Sequence, residues 1–259
     1  MSDELVHFGR SGRTLEIPVF DAHSHVGLWA MYDMVALADQ VAEMDRLGVR
    51  VAAVSGLLAL SGEFRRGNDY VAEVVRRYPG RFLGYVHVSA RYPEQMLPEL
   101  ERCFATGAFR GIKVYQVGVE YEDALFEPVW KFAAERAAPV LAHTWGNAAG
   151  MEKIASRYPQ AAFMVAHSGV DGIHVPYIKA VQAAPNLYLD LTYSREFVNL
   201  IEHFVEQIGA DRIVWGADVP LFSMAQQLSK VLFARISDAD KKKILYYNAA
   251  RLFGLPLPG

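Results

Sequence analysis

Residues 17–25 read Ile-Pro-Val-Phe-Asp-Ala-His-Ser-His, an apolar run that ends in two histidines. A short apolar run between a proline and a polar stretch is typical of a buried β-strand. Side chains two apart on a strand point to the same side, so His23 and His25 are expected to face one point. This stretch therefore predicts a first strand and, at its end, the beginning of a site.

Seven further apolar runs follow along the chain, and residues with helical spacing separate them. The eight predicted strands are Ile17–His23, Val49–Ser55, Phe82–His87, Phe109–Tyr115, Pro139–His143, Ala162–His167, Leu187–Leu191 and Ile213–Asp218. Eight repeats in 259 residues give about 32 residues per repeat, which is the usual length of a βα unit. The pattern predicts an α/β protein built as a single (β/α)₈ TIM barrel.

A doubly wound open sheet is the competing fold. It usually has fewer strands, and no G-x-G-x-x-G motif follows the first predicted strand, so the barrel is favoured. No linker or change of composition divides the chain, and we expect one domain over residues 1–259. Residues 4–18 hold a Gly-Arg-Ser-Gly turn between two partly apolar stretches, which predicts a short N-terminal β-hairpin.

Composition excludes several classes of protein. A net charge of −3, from 26 basic and 29 acidic residues, does not indicate a nucleic-acid partner. The longest weakly polar stretch, residues 51–62, is shorter than the about 20 apolar residues of a membrane-spanning helix. The first residues lack the basic and apolar regions of a signal peptide, and the one cysteine, Cys103, has no partner for an internal disulfide. We therefore expect a soluble, cytoplasmic protein with no membrane partner.

Histidines collect where predicted strands end. Five of the eight lie at these C-terminal ends, where barrel enzymes build their active sites: His23, His25, His87, His143 and His167. Taken singly, each is also typical of a hydrogen-bonded core residue. Asp218, which ends the eighth predicted strand, is also typical of a helix N-cap. Taken together, they indicate one divalent metal ion, Zn²⁺ first, with Mn²⁺ and Fe²⁺ as alternatives.

This arrangement resembles the amidohydrolase superfamily, and within it the amidohydrolase-related branch of metal-dependent hydrolases, lactonases, hydratases and non-oxidative decarboxylases. The matching pieces occur in the family's order: Asp21-Ala22-His23-Ser24-His25, Gly111-Ile112-Lys113, Ala142-His143, Ala166-His167-Ser168-Gly169, Trp215-Gly216-Ala217-Asp218-Val219-Pro220 and residues 248–255.

The resemblance implies a role for each residue. His23, His25, His143 and Asp218 would bind the metal. His167 would lie beside it and orient the attacking water or polarise the substrate. Asp218 would also take the proton of the metal-bound water.

Lys113 has two alternatives. In binuclear branches of the superfamily, the lysine on the fourth strand is carbamylated and bridges two metals, whereas in this branch it is often present without that role. One ion is therefore favoured over two. Lys113 and Tyr115 share one side of their strand, and on the lumen side Lys113 would contact a substrate carboxylate.

Residues that follow the predicted strands suggest the substrate. Aromatic and basic side chains there predict a pocket for a small aromatic or cyclic acid: Trp29, Arg65, Tyr115 and Trp145, with His87 and Lys113 below them. Each has a structural alternative. Trp29 would pack on the barrel, Arg65 would be solvated, and His87 would form a hydrogen bond in the barrel mouth.

The first functional hypothesis is a hydrolase that activates water on the metal to cleave an ester, lactone or amide. The second is a decarboxylase or hydratase on the same site, since these ligands predict metal dependence better than reaction type. The third is a barrel that binds a small-molecule ligand without turnover. The short loops leave no room for a large cap, and a homodimer would be one way to complete the pocket.

Overall fold

Eight parallel strands, in the order β1 to β8, form the centre of the structure, which is a computed structural model. It describes residues 4–29, 36–115, 118–144, 146–168, 174–193 and 198–257, and of Phe8 the backbone alone. The strands are β1 Val19–Val26, β2 Val49–Gly56, β3 Phe82–Val88, β4 Phe109–Tyr115, β5 Val140–His143, β6 Phe163–Val165, β7 Leu187–Asp190 and β8 Ile213–Val214. The predicted (β/α)₈ barrel is confirmed.

Helices surround the sheet and extend from its end. They are α1 Glu4–Ser11, α2 Leu37–Leu47, α3 Leu57–Leu60, α4 Phe64–Arg77, α5 Pro93–Ala105, α6 Glu127–Arg136, α7 Ala148–Arg157, α8 His174–Ala183, α9 Leu200–Ile208, α10 Met224–Leu232, α11 Asp238–Lys242 and α12 Asn248–Leu252. Two 3₁₀ turns, Ala124–Phe126 and Ala210–Arg212, and a π-helix, Lys243–Tyr247, complete the set. No helix in the described ranges is long and apolar enough to cross a bilayer.

The strands separate two apolar layers, as expected for parallel strands covered on both faces. One layer packs between strands and helices. The other fills the barrel, where Phe20, Tyr85, Leu141 and Met164 are buried. Phe253, just after α12, closes this inner layer, with its ring centroid 5.1 Å from that of Phe20 and 5.6 Å from that of Tyr85. This filled interior leaves the opposite, C-terminal end of the strands for the site.

The last strand is shorter than predicted, because residues 215–219 bond to β1 instead of continuing the ladder with β7. The Ala22 N–H donates to the Trp215 carbonyl at 3.0 Å, the Asp218 N–H to the His23 carbonyl at 2.7 Å, and the His25 N–H to the Val219 carbonyl at 2.7 Å. These bonds join the two ends of the sheet. They also set the segments that carry His23, His25 and Asp218 side by side.

The predicted N-terminal hairpin is wrong, because residues 4–11 form helix α1. Leu5 is buried, and Gly9, one turn later, lies against the Phe233 side chain just after α10. An apolar stretch this short suits either a strand or one helix turn, and tertiary packing selected the helix.

A polar network holds α4 against the end of β3. The Asn68 amide bonds to both backbone groups of His87, at 3.0 Å each, and donates to Glu99 Oε1 at 2.9 Å. Arg102 donates to both oxygens of Glu99, at 2.8 and 2.7 Å. Burial raises the pKa of Glu99, but the bonds from Arg102 and Asn68 outweigh it, and the net pKa lies below the ordinary value. The ionised Glu99 therefore stabilises the fold.

We expect Glu99→Gln to lower the free energy of unfolding at pH 7 by about 2 kcal/mol, since it removes charged hydrogen bonds. Because the folded-state pKa is depressed, this contribution is present above the ordinary pKa of 4.5 and is lost as the pH falls through the folded-state value. Urea titrations at pH 7 and at lower pH measure the difference. Glu101→Gln, at an exposed position on α5, is the control. If the difference in free energy of unfolding between Glu99→Gln and wild type does not shrink as the pH falls, the ionised Glu99 does not stabilise the fold.

Candidate metal and active site

Three predicted metal ligands meet at the C-terminal end of the barrel. His23 and His25 lie on β1, and Asp218 lies on the segment after β8. One ligand atom from each can be chosen so that all three lie within 4.8 Å of one another, and all three residues are buried. The register of β1 on β2 shifts between Asp21 and Ser24, which marks a β-bulge before the second histidine.

Local backbone geometry holds Asp218 in place. Its φ is +57°, an uncommon value for a residue other than glycine and one that recurs at functional sites. A side chain at Gly216 would collide with His23 Cβ and the Thr192 hydroxyl, so only glycine allows this segment to approach β1. Ser223 caps α10. The Asp218 carboxylate is therefore left for the site.

Neighbouring strands fix the orientation of both β1 histidines. His23 Nδ1 lies 2.7 Å from Asp190 Oδ2 at the end of β7, and the other Asp190 oxygen accepts from the Thr192 N–H and hydroxyl. His25 Nδ1 lies 2.8 Å from the Ser55 hydroxyl at the end of β2. Carboxylate–histidine pairs of this kind are typical of metal sites, because they leave Nε2 free to bind the ion.

The other two predicted histidines lie beside this group. His167 Nδ1 donates to the Thr192 carbonyl at 3.3 Å, which makes its Nε2 the acceptor of the 3.2 Å bond from His143 Nδ1. The ring centroids of His23 and His167 are 5.1 Å apart. His143 falls outside the set of ligand atoms within 4.8 Å, and its Nε2 carries the lone pair in this tautomer.

Lys113 is fully buried at the same end of the barrel. Its Nζ lies 2.9 Å from His23 Nε2, the nitrogen that would bind a metal. Burial lowers the pKa of Lys113 to about 8, and the carboxylates of Asp218 and Asp190 oppose that shift. At pH 7 the amine is therefore mostly an ammonium that donates to His23.

The electrostatics favour neutral imidazoles and an ionised carboxylate. Burial lowers the pKa of His23, His25, His143 and His167, and the Lys113 ammonium acts in the same direction on each. Burial alone would raise the pKa of Asp218, but the His25 hydrogen bond and the surrounding imidazoles hold it below its ordinary value. Neutral imidazole and carboxylate are the forms that bind Zn²⁺, Mn²⁺ and Fe²⁺. The donor set therefore fits a divalent ion.

A cavity of about 360 Å³ opens above these residues, and we call it the site cavity. Its described lining is His25, Trp29, Leu60, Lys113, Tyr115, His143, His167, Tyr193, Asp218, Leu221 and Phe222. The Tyr115 ring lies 4.4 Å from that of His143, and Tyr193 stacks on Phe222 at 4.4 Å and 21°. The cavity thus has two aromatic walls, which suit a planar ring.

The predicted substrate-binding residues divide into three groups. Trp29, Lys113 and Tyr115 line the site cavity. His87 and Arg65 do not: His87 is buried with Nδ1 donating to the Lys113 carbonyl at 3.1 Å and its pKa lowered by burial to about 3, and Arg65 is exposed on α4. Trp145 lies outside the described residues.

Sequence reasoning missed the residues that orient the ligands. Asp190, Thr192 and Ser55 each touch a site histidine or its partner. A polar residue at the end of the apolar strands β2 and β7 was the available signal. The same rule that selected the histidines would have selected Ser55 and Asp190.

We expect wild-type protein to hold about one divalent ion per chain by plasma mass spectrometry, and His23→Ala/His25→Ala to hold almost none, because two of the ligands are gone. His7→Ala, at an exposed position on α1, is the control and should keep its metal. Two ions per chain would favour a bridging Lys113. A wild type that stays empty after incubation with Mn²⁺ and Zn²⁺ would overturn the metal site.

Asp190→Asn removes the charge that orients His23 and keeps the size of the side chain. Loss of such a partner weakens metal binding by about 10- to 100-fold. Competition with a chelator measures the affinity, and circular dichroism checks that the barrel is intact. Asp211→Asn, which removes an exposed ion pair to Lys243, is the control. An unchanged affinity would show that packing holds His23 without the Asp190 charge.

Comparison with known proteins identifies relatives in sequence and in fold. The chain is 27% identical to gamma-resorcylate decarboxylase of Polaromonas sp. strain JS666, over 79% of this chain and 80% of that protein. Two crystal structures share the fold. One is 2,6-dihydroxybenzoate decarboxylase from Rhizobium, with a TM-score of 0.73 at 18% identity, over 93% of this chain and 99% of that one.

The other is a dihydroxybenzoic acid decarboxylase from Polaromonas sp. JS666 with bound manganese and the inhibitor 2-nitroresorcinol. It has a TM-score of 0.69 at 20% identity, over 93% of this chain and 97% of that one. The model of the amidohydrolase family matches residues 20–255, which is nearly the whole chain. This range includes His23, His25 and Asp218. This chain belongs to the amidohydrolase family.

Proposed function

We propose that the protein is a metal-dependent decarboxylase that removes the carboxyl group of a small hydroxybenzoic acid without an oxidant. The observation that carries the proposal is a buried His-His-Asp group under a cavity with two aromatic walls. The similarity to gamma-resorcylate decarboxylase supports it. The comparisons thus favour the second of our functional hypotheses over the hydrolase that we placed first.

We assign the ion to His23, His25 and Asp218, with His143 as a fourth ligand. Mn²⁺ becomes the first choice in place of Zn²⁺, because manganese is bound in the dihydroxybenzoic acid decarboxylase of the same fold. A divalent ion held by these residues would supply positive charge that stabilises an anionic substrate. Lys113, the one amine in the described lining of the site cavity, adds a second positive charge for the anion.

Decarboxylation requires a proton at the ring carbon that carries the carboxylate. Asp218 is ionised and lines the cavity, so it can accept the proton of the ortho hydroxyl and return it to that carbon. The bond to the carboxylate then breaks, its electron pair restores the aromatic ring, and CO₂ leaves. Both nitrogens of His167 are engaged by Thr192 and His143, so His167 would hold His143 in place.

The substrate reaches this site from the aromatic side. Tyr115 lies over His143 and Tyr193 lies edge-on to His167, with ring centroids 6.3 Å apart. A planar ring between them would place its carboxylate toward His25, Lys113 and Asp218. Orientation of this kind lowers the barrier, because the reacting atoms are held in place before the proton moves.

The test measures CO₂ release from 2-hydroxybenzoate and 2,6-dihydroxybenzoate, and acid release from phenyl acetate and dihydrocoumarin, by Mn²⁺-loaded protein. We expect CO₂ from the hydroxybenzoates and a loss of about 100-fold or more in kcat for Asp218→Asn, since it removes the proton carrier together with a charged metal ligand. Asp211→Asn is the matched control. Acid release without CO₂ would indicate the hydrolase, and neither activity with metal bound would indicate a ligand-binding barrel.

A further inference from the structure

The site cavity is divided by polarity. Its floor is made of groups that carry charge or a lone pair: His25, Lys113, His167 and Asp218 are buried, and His143 is partly buried. Its upper part is half-buried and apolar or aromatic: Trp29, Leu60, Tyr115, Tyr193, Leu221 and Phe222. Within the part of the lining that the structure describes, no charged side chain belongs to this upper part. A ligand that matches both parts is acidic at one end and apolar at the other.

The size of the cavity exceeds one ring. An apolar cavity of about 150 Å³ is enough to bind benzene, and the site cavity has about 360 Å³. A hydroxybenzoate whose carboxylate reaches the floor therefore leaves a large part of the upper cavity to water. Water next to Leu60, Leu221 and Phe222 gains few hydrogen bonds, and an apolar group that displaces it is favoured.

The apolar wall is fixed to the catalytic end of the site. The N–H groups of Leu221 and Phe222 donate to the Asp218 carbonyl at 2.8 and 3.2 Å. Phe222 stacks on Tyr193, whose backbone has a φ of +59° and whose N–H donates to Gln227 Oε1 at 3.3 Å. The wall thus keeps its position relative to Asp218. A group attached to the far side of the substrate ring meets a preformed surface.

We propose that the substrate carries an apolar substituent on the ring, on the side away from the reacting carboxylate, and that Leu60, Leu221 and Phe222 select it. The proposal rests on the proposed function for the orientation of the ring. The proposal also predicts that acids with a second carboxylate on that side of the ring are rejected. A second carboxylate at that position would be buried against leucine and phenylalanine without a partner, which disfavours binding. The upper cavity therefore separates alkyl-substituted hydroxybenzoates from aromatic dicarboxylates.

The test compares 2,6-dihydroxybenzoate with derivatives that carry methyl, propyl or carboxyl at ring position 4, opposite the reacting group. We expect kcat/KM for CO₂ release to rise about fourfold for each added carbon. The 4-carboxyl compound should fall at least about tenfold below the unsubstituted acid, because of the unpartnered charge. The 2-nitroresorcinols with the same groups at position 5, again opposite the nitro group, report binding alone, since a nitro group cannot leave as CO₂.

Leu60→Arg places a cation at the upper cavity and should reverse the order, so that the 4-carboxyl compound becomes the better substrate and the propyl compound the worse. Leu97→Arg, at an exposed position on α5, is the control and should keep the wild-type order. Equal kcat/KM for all four acids, or an order that Leu60→Arg leaves unchanged, overturns the inference and leaves the decarboxylase intact. Absence of CO₂ from every acid, together with alkyl-dependent binding of the nitro compounds, would refute the proposed function and support the apolar subsite.

Discussion

One buried carboxylate holds the two ends of the barrel together. Asp21, fully buried on β1, accepts hydrogen bonds from the His23 N–H at 3.1 Å, the Ala217 N–H at 2.9 Å and the Ser24 hydroxyl. Ser24 in turn accepts from the Val219 N–H at 3.2 Å. Because β8 has two residues, a strand ladder alone cannot join it firmly to β1. Asp21 adds to the backbone hydrogen bonds between residues 215–219 and β1, and together they fix the distance between the β1 histidines and Asp218.

The same closure explains the charge of the site. Burial removes water from four imidazoles, which lowers the pKa of each and keeps the rings neutral. Lys113 supplies a positive charge, and Asp190 and Asp218 supply the carboxylates nearest to the histidines. A divalent ion held there would add to the positive charge of Lys113, which fits a substrate with an acidic group at the floor of the cavity.

Predictions from the sequence were most reliable for the strands and for the ligands at their ends, where the architecture of the barrel determines both the residue type and its position. Apolar runs covered on both faces predicted every strand, and β4 has the predicted bounds, Phe109–Tyr115. Ligands at strand ends followed from the same rule. The predicted hairpin was wrong at residues 4–11, where packing against α10 decides between helix and strand. The predicted eighth strand was longer than β8, because a strand and an extended segment bonded to β1 have the same composition.

Side-chain partners across the barrel were beyond the sequence. His87 and His143 both end predicted strands, yet only His143 lines the site cavity, while His87 is committed to Asn68 and the Lys113 carbonyl. The position of Asp190 at the end of β7 could have marked it as a candidate, but its pairing with His23, 167 positions earlier in the chain, could not be predicted. Such pairings are set by the order of strands around the barrel.

Metal ligands alone do not determine the reaction, since hydrolysis and decarboxylation use similar donor sets. What distinguishes them is the group that the cavity presents to the bound substrate. A hydrolase needs room for water at the reacting carbon. In this cavity His167, Lys113 and Asp218 are buried, whereas Leu60, Leu221 and Phe222 are partly exposed and apolar. Under the proposed function, the Asp218 carboxylate would carry the proton to the ring, and the apolar side chains would contact the substituent on the far side of that ring.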